Sequence, residues 1–193
     1  MDQRFSGPKA WITEDLSEAD WEIKFTKKAL EEISSMTDRI SANPLSINLR
    51  EPGEFEIPEL RRIFSKAKKI LNKGCGFCVI ERMPMEEIRV EELVGCYWIL
   101  SQLIGRTVAQ KWDGTMIYDV TDTGQSFSYG VRGSYTNVEL FFHNDNAFGI
   151  SLPEYVGLFC KNSALKGGTS RFCSIYSVHN RMLENHPRQL ERL

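Results

Sequence analysis

The apolar positions in the first third of the chain recur at helical spacing. Leu30, Ile33, Met36 and Ile40 fall on one face of a 3.6-residue repeat. Thr26 stands where a capping hydroxyl belongs, and Asn43-Pro44 closes the run. A polar loop with Pro52-Gly53 follows, and Pro58 then occupies a position suited to a first helical turn. Leu60, Ile63, Phe64, Ala67, Ile70 and Leu71 make the apolar face of a second helix, with Gly74 at its exit. At Gly76 the pattern changes. Phe77-Cys78-Val79-Ile80 is a short β-prone run between a glycine and Pro84. A third helix is predicted over 86–104, with Leu93, Tyr97, Leu100 and Ile104 on its face. From Val108 to about Ser174 the pattern is strand and turn. Strands are predicted over 107–111, 116–120, 138–142 and 155–161, with turns at Asp113-Gly114, Thr123-Gly124 and Leu152-Pro153. Short strands without interleaved helices predict an antiparallel barrel or jelly roll. A last helix runs over 174–185, and Pro187 opens another.

Composition narrows the function classes. Lys and Arg number 24 against 26 Asp and Glu, so no basic excess argues for nucleic acid or an acidic membrane as a partner. No apolar run approaches the ~20 residues of a membrane span, and the N-terminus lacks the apolar stretch of a secretory signal. The expected setting is cytoplasmic, with the five cysteines reduced and mostly buried. Cys75-Gly76-Phe77-Cys78 opens a strand rather than a helix, so Cys78 is assigned to the core and not to a redox pair. Cys96, Cys160 and Cys173 supply no second pair for zinc. Lys66, Lys68 and Lys69, with Arg61 and Arg62, form a solvated helix face, and Trp11, Trp21, Trp98 and Trp112 are assigned to packing. The chain stops at Glu191-Arg192-Leu193 inside a helical pattern, and half a sheet leaves open edges. The expectation is an N-terminal portion of a longer protein.

The sharpest chemical feature is His143-Asn144-Asp145, directly after the strand-like run Val138-Glu139-Leu140-Phe141-Phe142. Residues i and i+2 of a strand share a face, so an imidazole and a carboxylate would converge. These are two of the three ligands of a 2-His-1-carboxylate iron site. By itself the pattern is better read as a solvated loop with an incidental histidine. Gly167-Gly168-Thr169-Ser170 is the second feature: a tight turn with close backbone approach and hydroxyls beside it.

Together these features resemble a family. The stretch from Tyr135 to Asp145, then Pro153-Glu154-Tyr155-Val156-Gly157-Leu158-Phe159-Cys160, then Gly167-Gly168-Thr169-Ser170 is similar to the taurine dioxygenase (TauD/TfdA) family. Gly76-Phe77-Cys78-Val79-Ile80 and Gly7-Pro8-Lys9-Ala10-Trp11 fit less specifically. The resemblance implies an α+β chain: a double-stranded β-helix (jelly roll) with an N-terminal helical region, here cut short. Residues 1–75 would be the helical region and 76–193 the first part of the oxygenase domain. It implies an oxidoreductase, a 2-oxoglutarate-dependent dioxygenase using Fe(II), 2-oxoglutarate and O2 on a small organic substrate, with succinate and CO2 as co-products. His143 and Asp145 match the metal ligands, and Ser170, with Thr169 as the alternative, matches the hydroxyl that contacts 2-oxoglutarate. Asn137 and Glu139 are expected to line the pocket. A homo-oligomer is a possible assembly.

One departure is serious. The family's distal histidine and the arginine that pairs with 2-oxoglutarate have no counterpart. His179 and His186 follow Asp145 too closely and are expected on a helix surface or at its end. Arg188 and Arg192 are expected to be solvated. No turnover is expected from this chain alone. The alternatives are a non-catalytic or degenerate cupin-like binding protein, and a different metal-dependent cupin whose site His179 completes.

Overall fold

The structure, a computed structural model, describes residues 3–145 and 152–192. Met1, Asp2 and Leu193, which figured in the expectations for the two ends, lie outside the described residues. The chain forms two compact units, Met1–Gly105 with Leu158–Leu193, and Arg106–Gly157.

The first unit is built around three helices, α2 (Lys27–Ala42), α3 (Pro58–Lys73) and α4 (Val90–Ile104), which all pack on one another. A single helical turn, α1 (Glu18–Trp21), precedes them. Thr26 caps α2 by accepting from the Ala29 N–H at 3.2 Å, which is the predicted role of its hydroxyl. The buried stripe of α2 is Ala29, Ile33 and Met36, and Leu30 is exposed instead. In α3 the buried residues are Leu60, Ile63, Phe64 and Ala67, all from the predicted face. Helix α4 buries Leu93, Gly95, Cys96, Trp98, Ile99 and Leu100, a wider band than the predicted face, and Tyr97 is only half-buried. With neighbours on two sides, a helix must be apolar on both. It also starts at Val90 rather than 86, because the Glu87 and Ile88 N–H groups first close a turn on the Pro84 carbonyl.

Two buried charges tie these helices together. Glu32 of α2 accepts from the Glu59 and Leu60 N–H groups at 2.9 and 2.8 Å, so one helix caps the N-terminus of another. Arg50, 2% exposed, donates to the Ile40 and Asn43 carbonyls at the C-terminal end of α2. The Arg50 carbonyl in turn accepts from Trp98 and Gln102 of α4 at 3.2 and 3.0 Å. A two-stranded parallel pair completes this part: β1 (Glu22–Ile23) against β2 (Val79–Ile80), with Glu22 opposite Val79. Toward the C-terminus, α5 (Ile175–Asn185) is capped by Ser174, and α6 (Pro187–Leu190) starts at the predicted proline.

The second unit departs from expectation. Among the described residues no strand forms at 107–111, 116–120 or 138–142, nor at 155–161, which straddles the boundary between the units. The chain there is extended and turned but unpaired. Only isolated backbone bonds occur, such as Thr121 N–H to Ser134 carbonyl and Thr123 N–H to Tyr135 carbonyl, both 3.0 Å. A strand takes its hydrogen bonds from a neighbour, so a β-prone sequence without one stays extended. The turns at Asp113-Gly114 and Thr123-Gly124 do form, with both glycines at positive φ. The packing role given to Trp112 is corrected: its side chain is almost wholly exposed. Trp98 is buried as predicted, and Trp11 and Trp21 are half-buried.

Candidate metal centre

His143 and Asp145 lie in the Arg106–Gly157 unit, in chain that is not a strand. Their side chains nevertheless converge. His143 Nε2 stands 3.4 Å from Asp145 Oδ1, and both side chains are about half exposed. The imidazole orientation has a local cause. Nδ1 is 2.6 Å from the Phe141 carbonyl oxygen. That oxygen can only accept, so Nδ1 is the donor, and Nε2 is the ring atom turned toward the carboxylate. A ring fixed through its other nitrogen is the usual support for a ligating histidine.

The donor set fits a divalent metal. Bonds of about 2.0–2.2 Å to an imidazole nitrogen and a carboxylate oxygen leave the two donors roughly 3–3.5 Å apart, and the observed pair is within that span. Two donors supply part of a site. Among the described residues no group of three or more His, Cys, Asp or Glu is placed to hold an ion.

The remaining candidates stand as follows. Asn137 and Glu139 are exposed and precede the pair in the same unit. Thr169 and Ser170 are exposed and belong to the unit that contains the helices. The glycines before them adopt φ of 76° at Gly167 and 71° at Gly168, and a Cβ at Gly168 would come within 2.9 Å of the Ala164 Cβ. This turn requires glycine on both counts.

One expectation about the other histidines is revised. His179 is not on a helix surface. It is buried on α5 with its ring edge-on to Phe5 at 4.6 Å, and neither ring nitrogen has a hydrogen-bond partner. Enclosed in this way, it offers no nitrogen to an ion, which argues against the cupin it would complete. His186 is exposed where α5 ends, and Arg188 and Arg192 are exposed as expected. Cys75 is buried, with its thiol donating to the Phe77 carbonyl at 3.2 Å. Cys78 is half-buried rather than core, and burial, then the neighbouring Cys75, pushes its thiol pKa up. A thiol raised in this way is not a reactive thiolate. Cys160 and Cys173 are exposed, contrary to the expectation of mostly buried cysteines. No described helix is long and apolar enough to cross a membrane.

The sequence could not show the Phe141 carbonyl, because the acceptor is a backbone atom that any residue carries. No curated relative matches the chain. Residues 32–193 match the model of the family described as "Taurine catabolism dioxygenase TauD, TfdA family". The match covers most of the chain, including the His143–Asp145 pair and the turn at Gly167-Gly168, and the protein belongs to the TauD/TfdA family.

Proposed function

We propose that this chain carries part of the active centre of an Fe(II)- and 2-oxoglutarate-dependent dioxygenase that oxidises a C–H bond of a small organic substrate. The observation that carries the reading is the oriented His143–Asp145 pair. Bound iron with 2-oxoglutarate supplies the oxidising power: one O2 is consumed, one oxygen atom enters the substrate, and 2-oxoglutarate leaves as succinate and CO2.

The protein's contribution is orientation and charge. The Phe141 carbonyl holds the His143 tautomer, so Nε2 is the ligating atom. Asp145 supplies a negative charge that partly neutralises the dication. The Ser170 hydroxyl, with Thr169 beside it, is assigned to a carboxylate of 2-oxoglutarate, where glycine at 167 and 168 permits close backbone approach. Asn137 and Glu139 are assigned to the pocket wall. The third ligand is taken to come from a residue other than His179, whose nitrogens are enclosed. The extended segments at 107–111, 116–120, 138–142 and 155–161 are read as strands of a double-stranded β-helix. The setting is taken to be cytoplasmic, with no nucleic acid and no membrane as a partner.

The test is anaerobic titration with Fe(II). The parent chain is expected to bind the ion, and His143→Ala and Asp145→Ala are each expected to weaken binding about tenfold or more. Unchanged affinity in both variants would overturn the reading and favour a degenerate, cupin-like binding protein.

A further inference from the structure

Within the unit that contains the helices, one face of α5 grips the N-terminal segment by its backbone. Ser174, Ser177 and Asn180 recur every third residue, so they share that face. The Ser174 hydroxyl donates to the Lys9 carbonyl, and the Ser177 hydroxyl donates to the Trp11 carbonyl at 2.7 Å. Asn180 engages both backbone groups of Phe5, accepting from its N–H at 2.8 Å and donating to its carbonyl at 2.9 Å. Arg4 pairs with Glu184 one turn further on. The Phe5 ring stands edge-on to Tyr176 at 5.1 Å and to His179 at 4.6 Å.

A second set of contacts links the same segment to the glycine turn. The Trp11 indole donates to the Cys75 carbonyl at 2.8 Å, and its ring tilts against Phe77 at 5.5 Å. Phe77 stacks on Phe172 at 4.9 Å and 9°. The chain leaving Ser170 is therefore held at Phe172 and again at Ser174, each time through groups that the N-terminal segment touches. Two residues of chain span at most about 7 Å, so Ser170 has little freedom once Phe172 is fixed. An exposed turn with a functional hydroxyl needs such support, because misplacement by about 1 Å is costly at a reacting centre.

We propose that residues 4–11 are a strap that positions the turn at 167–170, with Ser177, Asn180, Phe77 and Phe172 as positioning residues. The part concerning 2-oxoglutarate rests on the proposed function; the strap's hold on the turn does not. The test uses the full chain with Ser177→Ala and Asn180→Ala combined. Limited trypsin digestion, read by mass spectrometry, follows cleavage after Lys9 for the strap and after Lys166 and Arg171 for the turn. Titration with 2-oxoglutarate in anaerobic Fe(II) is run beside it.

The expected result is cleavage about tenfold faster at all three sites, 2-oxoglutarate bound about tenfold more weakly, and Fe(II) affinity unchanged. That split between the two affinities is one that general loosening would not give. Faster cleavage after Lys9 alone, with the turn sites and 2-oxoglutarate affinity unmoved, overturns the proposal. A double variant that is cut throughout α2–α4 has unfolded; Phe5→Ala then applies the same three-site criterion from the strap side. A parent chain that binds Fe(II) but no 2-oxoglutarate overturns the co-substrate role of the turn, while the cleavage pattern still decides whether the strap holds it.

Discussion

The two compact units contain similar apolar residues and use them in opposite ways. In the helical unit Leu93, Ile99 and Leu100 of α4 are completely enclosed between α2 and α3. In the Arg106–Gly157 unit Val120, Leu140, Phe141 and Phe142 are more than half exposed. Hydrophobicity alone does not separate them. A helix closes its backbone hydrogen bonds within its own segment, so its apolar stripe is free to seek a neighbour. An extended segment leaves half its backbone groups for another strand, and its side chains become core only once that strand is in place.

The largest expected contrast comes from truncating one leucine in each unit. Leu100→Ala should cost about 3 kcal/mol of unfolding free energy, from lost burial and the cavity left behind, read as a lowered urea midpoint. Leu140→Ala should change the unfolding free energy by no more than about 0.5 kcal/mol, since more than half of the side chain is already in water. Equal costs at the two positions would sink the comparison. Glu32→Ala should fall between them at about 1–2 kcal/mol, because the Glu59 and Leu60 N–H groups lose their acceptor. Glu32→Gln, which keeps one acceptor oxygen, should recover part of that loss.

The smallest effect concerns acid. Arg62, and then Thr26, hold the Glu59 carboxyl down to about 2, against an ordinary value of 4.5. A depressed value in the folded state means that the ionised form stabilises the fold. That contribution is complete above the ordinary value of 4.5 and is lost as the pH falls toward 2. Glu59→Gln should remove this slope from urea midpoints followed over the same range, leaving the neutral-pH profile otherwise parallel. An unaltered slope would place the acid sensitivity elsewhere.

The helices were legible because their signals are local. Thr26, Pro58 and Pro187 each act at the position their chemistry suggests. The start of α4 was misplaced because the turn on the Pro84 carbonyl offers those residues another partner for their N–H groups. The strands were legible only as a propensity, since pairing is decided far away in sequence. Trp112 carries no mark that it faces water, and His179 carries none that it lies under Phe5. At the candidate centre the sequence pointed to His143 and Asp145, while the Phe141 carbonyl that sets the tautomer emerged only from the geometry.

The pairing of β1 with β2 also bears on the order in which the chain folds. It is flanked by the Glu81 N–H donating to the Ile23 carbonyl at 2.8 Å, and by the Glu81 carboxylate accepting from the Phe25 N–H at 2.8 Å. Phe25 and Glu81 are 56 positions apart, with α2 and α3 between them. Closing a flexible loop of that length costs roughly 3–4 kcal/mol in chain entropy, more than a two-residue ladder returns. The ladder therefore forms after the helices have shortened the loop. Substitutions at Ile23 or Ile80 should hasten unfolding and leave the refolding rate nearly untouched.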